Sequence, residues 1–211
     1  MPKELSKGEV EAFRARICEA ARALYARKGE EAVTLREIAR ALKKSPMGLY
    51  RYFRDKDEII AQLRADAFNR FADALEQAFG KGDEPFARAR SVGQAYFDFA
   101  IRNPNAYRLM FDLTQESVKR YPMLAEASTR AAHTITRHVK DLIAAGIVKG
   151  SADMVGHALW AAAHGVVVLH LAGRLPPDVD ARELYLETMR LTFRGARTRA
   201  SNRRARLKRA S

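Results

Sequence analysis

The segment from Thr34 to Glu58 constrains the fold more than any other part of the 211-residue chain. Thr34 followed by Glu37 forms a capping-box pattern, which predicts the start of a short helix. Ser45 followed by Pro46 is typical of a second helix start, because proline at the first helical position lacks only an N–H that would have no partner there. The spacing therefore predicts two short helices joined by a tight turn.

The second of these helices divides its side chains between two faces. Leu49 and Phe53 stand one turn apart and are predicted to face the core. Met47, Tyr50 and Arg51 then fall on the opposite face, where a globular domain would normally place small polar groups. A short helix that presents these side chains outward suits insertion into the major groove of DNA. The same pattern also occurs as plain packing of two helices.

Elements on both sides of the pair favour the DNA-binding interpretation. Asp55 and Glu58 form another capping-box pattern, which predicts the start of a long helix. A first helix is predicted at about residues 9–28, with Gly29 as its stop signal. The sequence therefore predicts a head of three helices joined to a long fourth helix.

Two motifs give the chain a specific resemblance. The order T-x-x-E-I-A…S-P-x-x-L-Y-R-Y-F-R-D-K-D-E, within about residues 6–63, resembles the DNA-binding head of the TetR family of bacterial transcriptional regulators. Trp160, His164 and Gly165 stand as W-A-A-A-H-G, which resembles the Trp-x-x-x-His-Gly signature of one group of C-terminal domains in that family. The resemblance implies a homodimeric, ligand-responsive DNA-binding protein, most often a repressor.

One residue departs from the pattern. Many members of the family have glycine in the turn, where this chain has Lys43. A lysine in the left-handed conformation would cost roughly 1 kcal/mol. The sequence therefore favours another geometry for this turn, while the expected fold is unaffected.

The residues predicted to contact DNA lie in or beside the two short helices: Thr34, Arg36, Lys44, Ser45, Met47, Gly48, Tyr50, Arg51, Tyr52 and Lys56. The resemblance assigns phosphate contacts to Thr34, Tyr50, Tyr52 and Lys56, and base edges to Arg36, Met47 and Arg51. Lys44 suits either role, and Gly48 would let the backbone approach DNA closely. Phosphate contacts set the register of the protein on DNA, whereas base contacts set the sequence that is read.

The positive charge is concentrated at the two ends of the chain. Residues 1–55 carry a net charge of +5, residues 56–193 of zero and residues 194–211 of +8. This distribution favours a polyanionic partner at the ends. Residues 198–211 are predicted to form a basic disordered tail, either as an arm on DNA phosphates or as a solvated terminus.

The body of the chain shows helical periodicity without any alternating strand pattern. Four helices are predicted at residues 85–103, 104–113, 122–145 and 152–175, and a last one begins at Asp178 or Asp180 and runs to about Arg197. The predicted fold is all-α. It comprises a helix-turn-helix DNA-binding domain at residues 1–55, a helical ligand-binding and dimerisation domain at 56–197, and the tail.

The helix predicted at residues 152–175 is apolar around most of its circumference and rich in glycine and alanine. Such a helix must be buried on most sides. Pairing it and the last helix with those of a second copy would bury it in a four-helix interface across a two-fold axis. The alternative is a monomer that buries the helix internally.

The resemblance also implies a pocket for a small-molecule effector among the middle helices. Its candidate lining residues combine apolar walls with a few polar tips: Tyr96, Tyr107, Met110, Phe111, Trp160 and His164. The alternative for each residue is a plain core position. The absence of net charge in this region favours a neutral or apolar ligand.

Several other classes of protein are disfavoured. The chain has no glycine-rich phosphate loop, nucleophile elbow or paired carboxylates in an apolar setting, so no enzyme is predicted. Asp153 precedes His157 by one turn and His164 shares its face. A metal site needs further converging ligands, so no metal and no cofactor are predicted.

The cysteine content and the lengths of the apolar segments predict a cytoplasmic protein. The single cysteine, Cys18, excludes an intramolecular disulfide and fits the reducing cytoplasm. No apolar signal region begins the chain, and no uncharged apolar run reaches the length that spans a bilayer.

The sequence thus predicts a cytoplasmic, dimeric regulator that binds a palindromic double-stranded DNA operator. It is expected to be a repressor released by a small apolar or neutral molecule. The alternative is a basic architectural protein that coats nucleic acid without sequence preference.

Overall fold

The computed structural model describes residues 6–111 and 120–198. These residues form nine α-helices and a 3-10 helix at Glu30–Ala32. The helices are α1 (Lys7–Lys28), α2 (Leu35–Leu42), α3 (Pro46–Leu49), α4 (Lys56–Phe79), α5 (Pro85–Arg102), α6 (Pro104–Met110), α7 (Pro122–Ala144), α8 (Ala152–Leu171) and α9 (Ala181–Ala196). Within the described ranges, extended pairing is limited to one isolated bridge between Val148 and Arg197. The all-α prediction is confirmed.

Side-chain caps fix the helix starts near the N-terminus. Ser6 and Glu9 form a reciprocal capping box at the start of α1. The Thr34 hydroxyl accepts from the backbone N–H of Glu37 at 3.1 Å, and the Ser45 hydroxyl accepts from that of Gly48 at 3.2 Å. Each such cap satisfies a backbone donor that the helix itself leaves without a partner. The predicted starts of α2 and α3 are therefore confirmed.

The turn between α2 and α3 has the left-handed geometry that the sequence disfavoured. Lys43 has φ 54° and ψ 45°. Its N–H donates to the carbonyl of Arg40 at 3.1 Å, and the N–H of Lys44 donates to that of Ala39 at 2.9 Å. These two bonds form a Schellman motif. They offset the cost of the left-handed lysine, so the expectation of another geometry was wrong.

Helix α3 is a single turn, because regular helical bonding ends at Leu49. The backbone N–H of Phe53 still donates to the carbonyl of Leu49 at 3.1 Å, which keeps the two side chains on one face. Both are buried, as predicted. Asp55 then accepts from the N–H of Glu58 at 2.8 Å and starts α4.

The chain divides into two compact units. The first comprises the described residues of Met1–Phe68 and Arg108–Ser128, and the second those of Asn69–Tyr107 and Thr129–Ser211. The predicted division at residues 55 and 197 remains a prediction.

The first unit has an aliphatic and aromatic core contributed by α1 to α4. Its fully buried side chains include Ile17, Ile38, Leu49, Phe53 and Ile59. Cys18 lies in the same core, and burial raises the pKa of its thiol to about 11. The prediction that this cysteine is a small core residue is therefore confirmed.

The second unit packs aromatic residues of α4 and α5 edge to face. The Phe71 ring centroid lies 5.5 Å from that of Tyr96 and 5.3 Å from that of Phe99. Asp180 is the cap of α9, since its side chain accepts from the N–H of Glu183 at 2.8 Å. Burial of these aromatic rings contributes to the apolar stabilisation of the unit.

Helix α8 packs along α9, yet much of its apolar surface is exposed in the single chain. The exposed large apolar side chains on these two helices are Met154, Val168, Leu169, Leu186 and Leu191. By length and composition alone α8 could also cross a membrane, with a mean hydropathy of 1.4 in its most apolar window. A core helix of a soluble protein passes the same test, so this is weak support for a membrane partner.

Two predicted segments extend beyond the described residues. The predicted helix at 104–113 corresponds to α6, which ends at Met110, and its last two positions lie outside the described ranges. The predicted tail at 198–211 lies outside them as well, apart from Thr198.

Candidate functional site

The outer face of α3 and the following turn is open to solvent. Met47 is 76% exposed and Tyr50 is 53% exposed, and Arg51 is also exposed. Leu49 and Phe53 point the other way, into the core. The predicted division of this segment into a buried face and an outward face is therefore what the structure has.

Four exposed cations lie in α2, in the turn that follows it and just after α3. Arg36, Lys43, Lys44 and Arg51 are exposed, and no ion pair involving them is present in the described part of the chain. Arg40, on the same helix as Arg36, is instead paired with Glu37 at 2.8 Å. The four cations are therefore available to a polyanion, whereas the charge of Arg40 is already compensated.

The two capping hydroxyls lie at the starts of α2 and α3. Thr34 is half-buried and Ser45 is exposed, and each oxygen accepts a backbone N–H. A hydroxyl that accepts in this way keeps its own hydrogen for donation, for example to a phosphate oxygen. Gly48 is half-buried in α3.

Tyr52 and Lys56 are less accessible than the others. The Tyr52 ring packs on Phe13 with centroids 4.6 Å apart, and the Lys56 ammonium lies 3.8 Å from a carboxylate oxygen of Glu30. Lys56 would have to exchange this ion pair for a phosphate contact.

Arg14 supports the outward face from behind. Its guanidinium stacks 3.9 Å from the centroid of Phe53, donates to the backbone carbonyl of Tyr52 and lies 3.2 Å from Glu58. It therefore ties α1 to the turn that follows α3 and to the start of α4. This role could not be predicted from the sequence, because Arg14 has the same local pattern as other cations of α1.

A cavity of about 50 Å³ lies within the second unit, between helices α4, α5, α7, α8 and α9. Its lining residues are Leu75, Val92, Gly93, Tyr96, Ile135, His138, Gly156, Leu159, Trp160, Ala163, Tyr185 and Met189. None of these described residues is a lysine, arginine, aspartate or glutamate. The cavity is therefore apolar, with a few neutral hydrogen-bonding groups.

A chain of hydrogen bonds runs beside the cavity. The hydroxyls of Tyr96 and Tyr107 lie 2.5 Å apart, and the Tyr107 hydroxyl lies 2.6 Å from Nδ1 of His164. Tyr107 has one hydrogen and two close partners, so it donates to one and accepts from the other. The ring of His164 also lies 5.8 Å from that of Trp160.

Burial keeps all members of this chain neutral. It raises the pKa of Tyr96 to about 12, against the hydrogen bonds from Tyr107 and Trp160, and it raises the pKa of Tyr107 still further. Burial also lowers the pKa of His164. Neutral phenols and a neutral imidazole favour an uncharged guest, because an ion would find no compensating charge there.

Two further polar groups face the cavity. Nδ1 of His138 lies 3.2 Å from the backbone carbonyl oxygen of Thr134, and burial lowers the pKa of this histidine. The Tyr185 hydroxyl donates to the carbonyl of Gly93 at 2.7 Å. Both side chains are thus held in place by the backbone.

The sequence matches two family models in succession. Residues 17–63 match the model described as bacterial regulatory proteins, tetR family. Residues 89–192 match the model described as tetracyclin repressor-like, C-terminal domain. The chain belongs to the TetR family.

Relatives of this TetR-family chain agree with that assignment. HTH-type transcriptional regulators of Mycobacterium bovis and Mycobacterium tuberculosis are each 29% identical to it over 146 residues, which is 66% of this chain and 59% of theirs. The chain thus aligns with less than two thirds of the length of these relatives.

Solved structures show the same fold. A protein of unknown function from Rhodococcus sp. RHA1 superposes with a TM-score of 0.79 at 22% identity, covering 94% of this chain and 100% of that one. A TetR family transcription regulator from Marinobacter aquaeolei VT8 superposes with a TM-score of 0.68 at 20% identity, covering 92% and 100%.

The structure of this TetR-family protein brings together four of the six predicted ligand-binding residues. Tyr96 and Trp160 line the cavity, and Tyr107 and His164 join them through the contacts above. The other two belong to the first unit. There the carbonyl of Met110 accepts from Arg64 at 3.4 Å, and Phe111 packs on Phe68.

Sequence reasoning missed several lining residues, above all His138, Tyr185 and Gly93. His138 falls on the apolar face of α7 with Ile135 and Leu142, so its position on that face was a usable signal. Tyr185 and Gly93 are 92 positions apart, and no local pattern could have paired them.

Proposed function

We propose that this TetR-family protein is a ligand-responsive transcriptional regulator, which binds a palindromic DNA operator as a homodimer. We further propose that it is a repressor of the bacterial cytoplasm, released from its operator by a small apolar or neutral molecule. The observation that carries the proposal is the outward face formed by Met47, Tyr50 and Arg51, bordered by cations that no carboxylate of the described residues compensates.

The DNA contacts are proposed to divide into two kinds. The phosphate contacts are assigned to Thr34, Tyr50, Tyr52 and Lys56. The base contacts are assigned to Arg36, Met47 and Arg51, with Lys44 suited to either, while Ser45 and Gly48 bring the backbone close. An exposed arginine suits the acceptor pair of guanine, and a methionine suits the methyl group of thymine. The basic tail at 198–211 is proposed as an additional arm on phosphates.

Exposed apolar residues on α8 and α9 support the proposed dimer. Leu169, Leu186 and Leu191 are each about half exposed in the single chain, and several exposed large apolar side chains on two packed helices favour a protein interface there. A two-fold pair would bury these residues. It would also let two heads read half-sites about 34 Å apart in successive major grooves.

The cavity of the second unit supports a ligand that is neutral and largely apolar. Its volume of about 50 Å³ is far below the roughly 300–1,000 Å³ of typical ligand pockets. A ligand must therefore widen the cavity and move the helices around it. Such a ligand binds the widened state better, which is the condition for shifting a protein between two conformations.

Selection of genomic fragments on the purified protein, followed by sequencing, tests the DNA-binding proposal. A recurrent palindrome is expected, and its affinity should exceed that of a scrambled sequence by about 1,000-fold or more. Equal affinity for both at every salt concentration would instead favour a non-specific architectural protein, since phosphate contacts alone carry no sequence information. Candidate ligands are then titrated into the operator complex to test release.

A further inference from the structure

His138 lines the cavity, and its hydrogen bond to the backbone determines which ring nitrogen is an acceptor. A backbone carbonyl can only accept, so the contact with Thr134 at 3.2 Å places a hydrogen on Nδ1 of His138. Burial lowers the pKa of this side chain, which keeps the ring neutral. A neutral imidazole with its hydrogen on Nδ1 has a lone pair on Nε2.

Tyr185 adds a second acceptor. Its single hydroxyl hydrogen is committed to the carbonyl of Gly93 at 2.7 Å, so the oxygen can only accept from any other group. Burial raises the pKa of Tyr185, so the hydroxyl stays protonated and the assignment holds at neutral pH. The cavity therefore contains two acceptors whose roles are fixed by the backbone.

The rest of the lining narrows the choice of ligand. The remaining walls are largely aliphatic, with Leu75, Ile135 and Leu159 among them, and no charged side chain lines the cavity in the described residues. An anion or a cation would lose its hydration without gaining a counter-charge. The oxygen of an ether or ketone can only accept, so it would form no hydrogen bond with these two acceptors.

We propose that the cavity selects neutral, mostly apolar molecules that carry a hydroxyl group, with Nε2 of His138 accepting the hydroxyl hydrogen. This inference rests on the ligand site proposed above and adds the chemical class of its ligand. Alcohols and phenols belong to that class, whereas carboxylates, amines and ethers of similar size do not.

The size of the cavity determines the best probes. A cavity of about 150 Å³ holds a benzene ring, so a ring compound needs about three times the volume present here. Met189 lines the cavity, and its flexible thioether chain can adapt to a guest. Single-ring compounds are therefore the largest that a modest rearrangement would admit.

Two isomers isolate the effect of the hydroxyl. m-Cresol and anisole have the same molecular formula, but only m-cresol has a hydroxyl hydrogen to donate. Benzoate supplies a charged control of similar size. Trp160 is the single tryptophan of the chain and lines the cavity, so its fluorescence, excited at the red edge of indole absorption, reports occupancy directly.

The expected order of affinity is m-cresol, then anisole, with no saturable response to benzoate. Anisole donates no hydrogen bond to the buried acceptor, so it should bind about tenfold more weakly than m-cresol, or weaker still. Anisole binding as tightly as m-cresol, tighter binding of benzoate, or no saturable response to any of the three would overturn the inference. This comparison uses the unaltered protein and so depends on no variant.

Replacing the acceptor provides the second arm of the test. His138→Leu keeps a side chain of similar size, and the carbonyl of Thr134 retains its bond within α7. The preference for m-cresol over anisole should then fall to about threefold or less. His133→Leu is the matched control, because His133 is exposed on the same helix and should leave the preference unchanged. A preference that survives in His138→Leu would contradict the assigned acceptor.

Operator affinity, measured in parallel, separates this inference from the proposed function. If m-cresol is preferred but leaves operator affinity unchanged, the hydroxyl rule holds and the proposed effector role fails. If anisole binds equally well and both compounds weaken operator binding, the effector role holds and the hydroxyl rule fails.

Discussion

The hydroxyl of Tyr107 lies 2.6 Å from Nδ1 of His164, although 57 positions separate the two residues. The same hydroxyl lies 2.5 Å from that of Tyr96. A single oxygen thus joins α5, α6 and α8 beside the cavity. Tyr96 and Tyr107 are buried and His164 is half-buried, and burial keeps all three groups neutral.

The first prediction is that Tyr107→Phe destabilises the protein by about 1–3 kcal/mol, because buried Tyr96 and half-buried His164 each lose the hydrogen bond to the Tyr107 hydroxyl. The free energy of unfolding is measured by urea denaturation at a fixed protein concentration. Tyr50→Phe is the control, since Tyr50 is exposed and should change stability by less than about 0.5 kcal/mol. Equal effects of the two substitutions would show that the hydrogen-bonded chain contributes nothing.

The second prediction is that Lys43→Gly stabilises the protein by about 1 kcal/mol. Lys43 is the one non-glycine residue with positive φ in the described ranges, and glycine occupies that region without the steric cost of a Cβ atom. Lys44→Gly is the matched control, because the next residue lacks positive φ and gains only flexibility in the unfolded chain. Chemical denaturation should therefore show a higher free energy of unfolding for Lys43→Gly and a lower one for Lys44→Gly. A loss of stability in Lys43→Gly would contradict the argument.

Local features of the sequence predicted most of the fold. A capping hydroxyl and the N–H that it accepts are three residues apart, as at Thr34 and Ser45, so the pattern can be recognised in a short window. The turn at Lys43 was predicted wrongly because steric preference was considered without the two closing hydrogen bonds from residues 43 and 44. These bonds depend on how the whole helix end is arranged.

The cavity was harder to predict than the outward face of α3. Met47 and Tyr50 follow from the periodicity of one helix, whereas the cavity is lined by five helices. Met110 lies next to aromatic residues in the sequence, but it belongs to the first compact unit and not to the unit that contains the cavity. Residue type identified side chains that suit a ligand pocket. Which of them share a cavity depends on the packing of helices that are distant in sequence.

The third prediction concerns the proposed dimer. Leu191 is 54% exposed on α9, and Leu191→Glu would place a charge in the proposed interface. Burying it without a partner is costly, so the dimer should dissociate at concentrations at least about 100-fold higher than for the unaltered protein. Sedimentation velocity over a concentration series measures this. Met47→Glu, an exposed apolar position in the first unit, should leave the dimer intact, and dissociation by both variants would point to a general loss of structure.

The fourth prediction separates base contacts from phosphate contacts. Arg36→Ala should remove discrimination at one base pair of the operator, worth about 1–3 kcal/mol there. The ranking of affinities for operators changed at the other positions should stay the same. Tyr50→Ala should instead weaken binding to every sequence by a similar factor, because phosphate contacts are the same at all sequences. Affinities for a set of operators, each changed at one position, distinguish the two profiles.

Arg40→Ala is the control for this comparison. Arg40 is exposed on α2 like Arg36, but its guanidinium lies 2.8 Å from Glu37, so its charge is already compensated within the helix. An exposed pair of this kind contributes at most about 1 kcal/mol to stability, and its removal should leave the operator profile unchanged. If Arg36→Ala and Tyr50→Ala gave the same uniform loss, Arg36 would be a phosphate contact. Sequence reading would then fall to Met47, Arg51 and Lys44.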